Sequence, residues 1–372
     1  MILEGERREI GLISLRGTAQ KVDSAPYYMR EALQRFVGET AHIGERHRVP
    51  CLGARIARWS GRVTQEVYLR RVQRELERAP RDLLFGLYAS STVAMLGPTD
   101  SKVVYVTDGP AHELVHSYPQ FQGLSAAEVS RHLRDEEAAV ARADLVVTHT
   151  HWSKTALIER AGAAPEKVFI AHPGVPKERL IDGLNLKGIQ RGEPLVALFV
   201  GRAWERKGLP EAMAAVELLN ARGVPAQLKV FGCTPPEGVL TEHATCFGPF
   251  DPNNDAELDR FEGHLREAHV HLLASKAECF GNSIAEAGAQ GTPSIVTAVQ
   301  GLPEAVIDGQ TGAVVSADGD VAGSLAEVMS EWYSDPELHL SLCRGVLQDV
   351  KERLNWDAWG MAVASALEAK GL

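Results

Sequence analysis

Short apolar runs separated by longer amphipathic stretches recur along the chain. In the first half they are IGLISL (10–15), DLLFGLYA (82–89), KVVYVT (102–107), DLVVTH (144–149) and KVFIAH (167–172). In the second half they are LVALFVG (195–201), QLKVFG (227–232), VHLLAS (270–275) and PSIVTA (293–298). Runs this short and this rich in Val, Ile and Leu predict strands buried on both faces, as in parallel sheets. Between them, segments such as LPEAMAAVELLNARG (209–223) have helical periodicity and end on a Gly suited to a left-handed cap. Alternation of the two predicts α/β units with helices on both faces of a parallel sheet.

The rhythm breaks at LNLKGIQRGEP (184–194), which is polar and carries two Gly and a Pro. It is the expected interdomain linker. A chain of 372 residues is long for one core, so two domains are expected, 1–186 and 187–354, followed by a terminal helical segment at 355–372. No short-period repeat or low-complexity tract is present.

Composition narrows the function classes. A net charge of -10 gives no general attraction to nucleic acid or anionic lipid. The five cysteines, Cys51, Cys233, Cys246, Cys279 and Cys343, are scattered and form no CxxC pair, so neither a disulfide framework nor a zinc site is expected. The start, MILEGERREIGLISL, lacks a signal peptide's apolar core, and no run approaches the roughly 18 apolar residues of a membrane span. The expected location is a reducing cytoplasm.

The densest chemistry lies in SKAECFGNSIAEAGAQGTPSIVT (275–297). It begins where a strand is expected to end and turns into a helix near Asn282, which with Ser283 is a candidate cap. Loops at the carboxyl ends of parallel strands are where doubly wound sheets bind ligands. Gly281 lets backbone approach a ligand, and free amides at a helix start attract negative charge.

Glu278, seven residues, then Glu286, with Phe-Gly inside and Gly-x-Pro after, resembles the signature of family 4 retaining glycosyltransferases of the GT-B architecture. GLPEAVIDGQTGAVV (301–315) is similar to that family's loop–helix–turn segment, and VGRAWERKG (200–208) resembles its phosphate-binding Gly-Arg-x-x-x-x-Lys-Gly. KVFIAHPGV (167–175) and NWDAWGMAVASALE (355–368) resemble, respectively, the end of its first domain and the helix that crosses back to that domain. The resemblance covers roughly residues 140–368. It implies two Rossmann-like doubly wound domains facing a central cleft, acceptor in the first and donor in the second, with hinge closure assembling the site.

Carried over residue by residue, the resemblance assigns Arg202 and Lys207 to the donor diphosphate and Glu286 to the ribose. It assigns the transferred sugar to Glu278, Ser283 and the backbone of Phe280, Gly281 and Asn282. It implies retention of configuration with a nucleoside-diphosphate sugar, UDP- or GDP-linked, as co-substrate, with neither cofactor nor metal. No Asp-x-Asp pair stands near the motif. Cys279 is read as a small filler.

The first half departs from the pattern. Where the family has a Gly-rich loop after its first strand, this chain has Gly17 alone, either near the donor or in a plain strand-end turn. Where many members have a His after the strand at 102–106, this chain has Thr107, then Asp108 and, further on, His112. Asp108 and His112, with Glu278, are candidate catalytic groups; the competing reading of His112 and His116 is two surface histidines at a helix start. Residues 46–81 hold ten Arg, no Lys and three acidic residues, a candidate surface for an anionic acceptor or membrane, or else a solvated helical face. Acceptors in view are a saccharide, a lipid-linked sugar or a small molecule; nucleic acid is not expected.

Three rivals follow. One is a catalytically impaired sugar-nucleotide binder of the same fold. A nicotinamide oxidoreductase needs GxGxxG after the first strand, which SLRGTAQ (14–20) does not supply. A sugar-nucleotide epimerase leaves the Glu-x7-Glu segment unexplained.

Overall fold

The computed structural model describes residues 8–14, 25–43, 68–182, 186, 188–190 and 192–372. Gly17 lies outside them, as does the Arg-rich stretch before Tyr68. The chain forms two compact units, Met1–Ala171 with Trp359–Leu372, and His172–Ala358.

The first unit contains β1 (Arg8–Ser14), α1 (Ala25–Phe36), β2 (Gly38–His42), a helix α2 over 68–78, β3 (Leu83–Leu87) and α3 (Ser90–Ala94). It continues with β4 (Lys102–Thr107), α4 (Ala111–Ser117), α5 (Ala126–Arg142), β5 (Leu145–Thr148), α6 (His151–Glu159) and β6 (Val168–Ile170). Its six strands lie in the order β2-β1-β3-β4-β5-β6, and the pairings are parallel. The strand order reverses direction between β1 and β3, the switch point of this sheet. α5 starts at a capping box, Ser125 accepting from the Glu128 amide while Glu128 reaches back. Its inner face, Ala139 and Val140, packs with Val103 and Tyr105 of β4 and Val146 of β5.

The second unit contains β7 (Leu195–Val200), α7 (Leu209–Ala221), β8 (Ala226–Phe231), β9 (Ala244–Gly248), α8 (Asp255–Glu267), β10 (Val270–Leu273) and α9 (Asn282–Ala289). Then come β11 (Ser294–Thr297), β12 (Gly312–Val315), α10 (Val321–Ser334), α11 (Pro336–Glu352) and α12 (Trp356–Ala369), whose last part joins the first unit. The order β12-β11-β10-β7-β8-β9 is the doubly wound Rossmann arrangement, with its switch point between β7 and β10. β7 is buried throughout. Leu195, Ala197 and Phe199 enter the layer under α7 and α10, and Val196, Leu198 and Val200 enter the layer with Phe261 and Leu265 of α8. Alternate side chains filling two cores is why these strands read as unbroken apolar runs.

The units divide at Ala171, ahead of the polar segment expected to be the linker. Described residues just after His172 are bound into the second unit. The Val175 amide donates to Leu354 O and the Ile181 amide to Ala289 O, while Gln290 Nε2 donates to Arg179 O at 2.6 Å. Arg179 also lies 3.3 Å from Glu262. Composition singles out the polar stretch, but the hydrogen bonds ahead of it already tie 175–181 to the second unit. Near the other end, a Cβ on Gly360 of α12 would stand 2.6 Å from the Phe36 ring and 3.1 Å from Ala32, so the absent side chain lets α12 lie against α1.

Cys233, Cys246, Cys279 and Cys343 are unbridged. Among the described residues no helix is long and apolar enough to cross a membrane.

Candidate active site

At the switch point of the second sheet, the loops after β7 and β10 interlock. The Gly201 amide extends the strand pairing by donating to Phe231 O. A Cβ there would fall 2.3 Å from Lys207 Cδ, so the bare glycine leaves room for the lysine stem. Gly208 has φ +81, and a Cβ on it would stand 2.1 Å from Ala274 O at the end of β10. The Lys276 amide donates to Arg206 O at 2.8 Å, tying one loop's backbone to the other's.

These ties bring charges together. Lys207 Nζ lies 3.0 Å and Arg206 Nη1 3.3 Å from Glu278 Oε2, and all three side chains are largely buried. Arg206 Nη1 also donates to Ala277 O, and the Glu278 amide donates to Gln300 Oε1 at 2.8 Å. Gln300 has φ +46, an uncommon backbone state for a non-glycine residue. Two cations share one carboxylate, so the cluster carries net positive charge. Arg202, nominated with Lys207 from the sequence, stands exposed at the start of the turn. Arg206 was not singled out; its signal was adjacency to Lys207, but its partners are some 72 positions away.

α9 begins directly after Glu278's loop. Its cap is Gly281, with φ +87 and no side-chain cap bond, rather than Asn282 or Ser283. The reason is local. Leu302, Leu273 and Ile284 crowd the Gly281 Cα within 2.8 to 3.1 Å of any Cβ, and the chain turns into the helix through a conformation only glycine takes easily. Asn282 is exposed and Ser283 is buried, its Oγ without a hydrogen-bond partner. The first turn therefore presents backbone dipole uncapped by a side chain, a setting that favours an anion. Along 283–289, Glu286 alone is not buried. Phe280 turns inward and stacks on His172, centroids 5.7 Å apart, anchoring the loop while its backbone remains part of it.

Behind Lys207, His271 of β10 is wholly buried. Its Nδ1 lies 3.0 Å from Ser294 Oγ, and its Nε2 has no hydrogen-bond partner. Burial, helped by the Lys207 charge, pushes this imidazole down to about 3. The folded state thus refuses a proton that the unfolded chain takes near 6.5, and stability is lost as pH falls through that window. Between pH 7 and 5 the wild type is expected to lose about 2 kcal/mol more than His271→Leu, measured by denaturant melts at each pH. Equal losses would contradict the buried neutral state.

In the first unit, β4 ends at the buried Thr107, whose hydroxyl donates to Gly109 O, and Asp108 is half-buried on the following turn. Pro110 leads into α4, where His112 sits in the first turn with Nε2 3.4 Å from Glu137 Oε1 of α5; His116 is exposed. His112 is thus not a bare surface histidine. Two further residues were missed. Tyr88, just past β3, holds φ +53, a conformation that is a clear outlier for a bulky side chain. Its Oη lies 3.0 Å from Nε2 of the buried His149, whose Nδ1 lies 2.9 Å from Ala171 O. A carbonyl can only accept, so Nδ1 carries a proton, and in the neutral imidazole Nε2 accepts from the tyrosine.

Comparison with known families bears on the second unit directly. Residues 194–335 match the family described as Glycosyl transferases group 1. The region thus resembles a group 1 glycosyltransferase domain. It contains both interlocked loops, Lys207, Glu278 and Glu286. A D-inositol 3-phosphate glycosyltransferase of Catenulispora acidiphila is 36% identical over 232 residues, covering 57% of this chain and 54% of the relative. One of Acidothermus cellulolyticus is 30% identical over 253 residues, covering 62% and 54%. The chain spans about half the length of these curated relatives. Among solved structures, sucrose-phosphate synthase of Thermosynechococcus elongatus superposes with a TM-score of 0.75 at 20% identity, over 98% of this chain and 99% of that one. Anabaena HepE, solved with UDP and glucose, gives 0.68 at 14% identity over 98% and 100%. At such identities the likeness carries the fold, which is that of the GT-B glycosyltransferases.

Proposed function

We propose that the protein is a retaining, metal-independent glycosyltransferase that takes a sugar from a UDP- or GDP-linked donor. The observation that carries this is the meeting of Arg206 and Lys207 on Glu278 beside the uncapped start of α9. A diphosphate leaving group gains charge as the sugar departs, and buried cations with an aligned helix start stabilise that charge where it develops. Lys207, with Arg202 at the mouth of the same turn, neutralises the diphosphate. Glu286 accepts from the ribose hydroxyls. Glu278 and Ser283, with backbone at Phe280, Gly281 and Asn282, hold the sugar. The curated relatives are named as glycosyltransferases, and HepE was solved with UDP and glucose, which agrees with a nucleotide-linked donor here.

Retention follows if the acceptor oxygen attacks the anomeric carbon from the face that the phosphate leaves. The C–O bond to phosphate breaks, the bond to the acceptor forms, and the departing phosphate takes the acceptor's proton. No protein nucleophile is needed; positioning and charge stabilisation suffice. Asp108 and His112 serve the acceptor, a saccharide, a lipid-linked sugar or a small molecule. Thr107, standing where many relatives of this class have His, favours one second reading, a catalytically impaired donor binder.

A thermal-shift screen with UDP, GDP, ADP and TDP and their sugars tests this. UDP or GDP is expected to raise the melting point by about 5 °C near saturation, with the shift retained in EDTA and reduced in Glu286→Ala. No shift with any nucleotide sinks the donor assignment. Release of free nucleotide or transferred sugar from the stabilising donor separates the enzyme from the impaired binder.

A further inference from the structure

Glu136 of α5 is 1% exposed, and the groups that meet its carboxylate carry no positive charge. The carboxylate accepts from the Ala111 amide at 2.6 Å, from the His112 amide and from the Tyr105 hydroxyl, and it faces the acidic Asp108. Burial pushes the Glu136 carboxyl up to about 7, against the pull of those donors. A buried carboxylate without a cation is an expensive way to close a helix start; an exposed Asp or Ser cap does that at less cost. What the costly version adds is a rigid link from α5 to the turn that carries Asp108 and His112. The neighbouring Glu137 reaches the same turn from outside. Its Oε1 lies 3.4 Å from His112 Nε2, an atom otherwise buried without a hydrogen-bond partner.

We propose that Glu136 and Glu137 are positioning residues for the acceptor-side turn, Glu136 holding its backbone and Glu137 holding the ring of His112. This rests on the reading of Asp108 and His112 as acceptor-side groups. The groups facing the pair are Tyr105 from β4, Asp108 from the turn and His112 from α4. Neither glutamate touches substrate in this scheme; both act through the turn. Adjacent positions on one helix point in directions about 100° apart, so one grips the inner backbone and the other the outer side chain.

The first arm of the test needs no activity. Amide exchange is followed residue by residue in the full chain. Glu136→Ala is expected to speed exchange at Ala111 and His112 at least tenfold, with other β4 and α5 amides unchanged. Glu136→Gln keeps an accepting oxygen and is expected to stay within about threefold of wild type. If the alanine variant does not fold, Glu136→Asp, with its carboxylate drawn back by one carbon, replaces it and is expected to show the same acceleration. Wild-type exchange at both amides in a folded Ala or Asp variant overturns the role of Glu136.

The second arm measures turnover with UDP-glucose and GDP-glucose. Glu136→Ala is expected to lower kcat at least tenfold with donor KM within twofold, and Glu136→Gln to recover most of it. Glu137→Gln is expected to lower kcat several-fold in wild type and to have no further effect in His112→Gln. Additive losses overturn the role of Glu137. If no UDP- or GDP-linked sugar turns over, the reading of the activity fails, while the exchange arm still decides whether Glu136 holds the turn.

Discussion

Lys207→Ala is expected to lower turnover by about 10²- to 10³-fold, with a smaller change in donor affinity. The lysine is largely buried, and its stem lies over Gly201, where any side chain would collide with it. Its charge is held at one place by Glu278, so little reorganisation is needed when the diphosphate arrives. Removing a preorganised cation costs most where charge grows during the reaction, which is at the bridging phosphate oxygen rather than on the bound donor. Arg202→Ala, at an exposed position, is expected to lose less. Steady-state kcat and an independent donor Kd for each variant check the order. A loss confined to Kd would mean that Lys207 binds the donor without acting on the leaving group.

Gly208→Ala is expected to destabilise the second unit by about 3 kcal/mol or more. Two costs add. A residue with a side chain is strained at φ +81, and its Cβ would sit 2.1 Å from Ala274 O and 2.5 Å from Ala274 C. Both contacts are backbone at the end of β10, so no side-chain rotation relieves them. Relief requires separating the two loops, which carries Lys207 away from Glu278. Donor-induced stabilisation should therefore fall along with the melting point. Gly263→Ala in α8 is the matching control, with nothing within 4 Å of its added Cβ and a helical gain of up to about 1 kcal/mol. If both variants melt alike, the close approach of the loops is not structural.

The central strands were legible because burial on both faces leaves an apolar run that needs no tertiary knowledge. β1, β3, β4 and β5, and β7, β8, β10 and β11, coincide with such runs, and so does β6 (KVFIAH) at one edge of the first sheet. β2, β9 and β12 did not stand out, and each lies at the edge of its sheet. β9 alternates half-buried and exposed positions, and β2 reads GETAH, since an edge strand has one neighbour and one wetter side. β12, GAVV, opens on a Gly directly after the turn-forming DGQT, and its two middle positions are only half-buried, so it reads as part of a loop.

The donor side was likewise local: Glu278, Gly281 and Glu286 lie within nine consecutive residues, and Lys207 lies in the turn between β7 and α7. Such residues stay together whatever the rest of the chain does, so spacing alone carried their grouping. Arg206 on Glu278, His271 behind Lys207, His149 on Tyr88 and Glu136 under the Asp108 turn were decided only by the tertiary structure. Each joins different elements, and the separation is 72 residues for Arg206–Glu278, 61 for Tyr88–His149 and 25 for Ala111–Glu136. A buried charge or imidazole has the same letter as an exposed one. What distinguishes it is desolvation by neighbours distant in sequence, and that enters only when the sheets have formed.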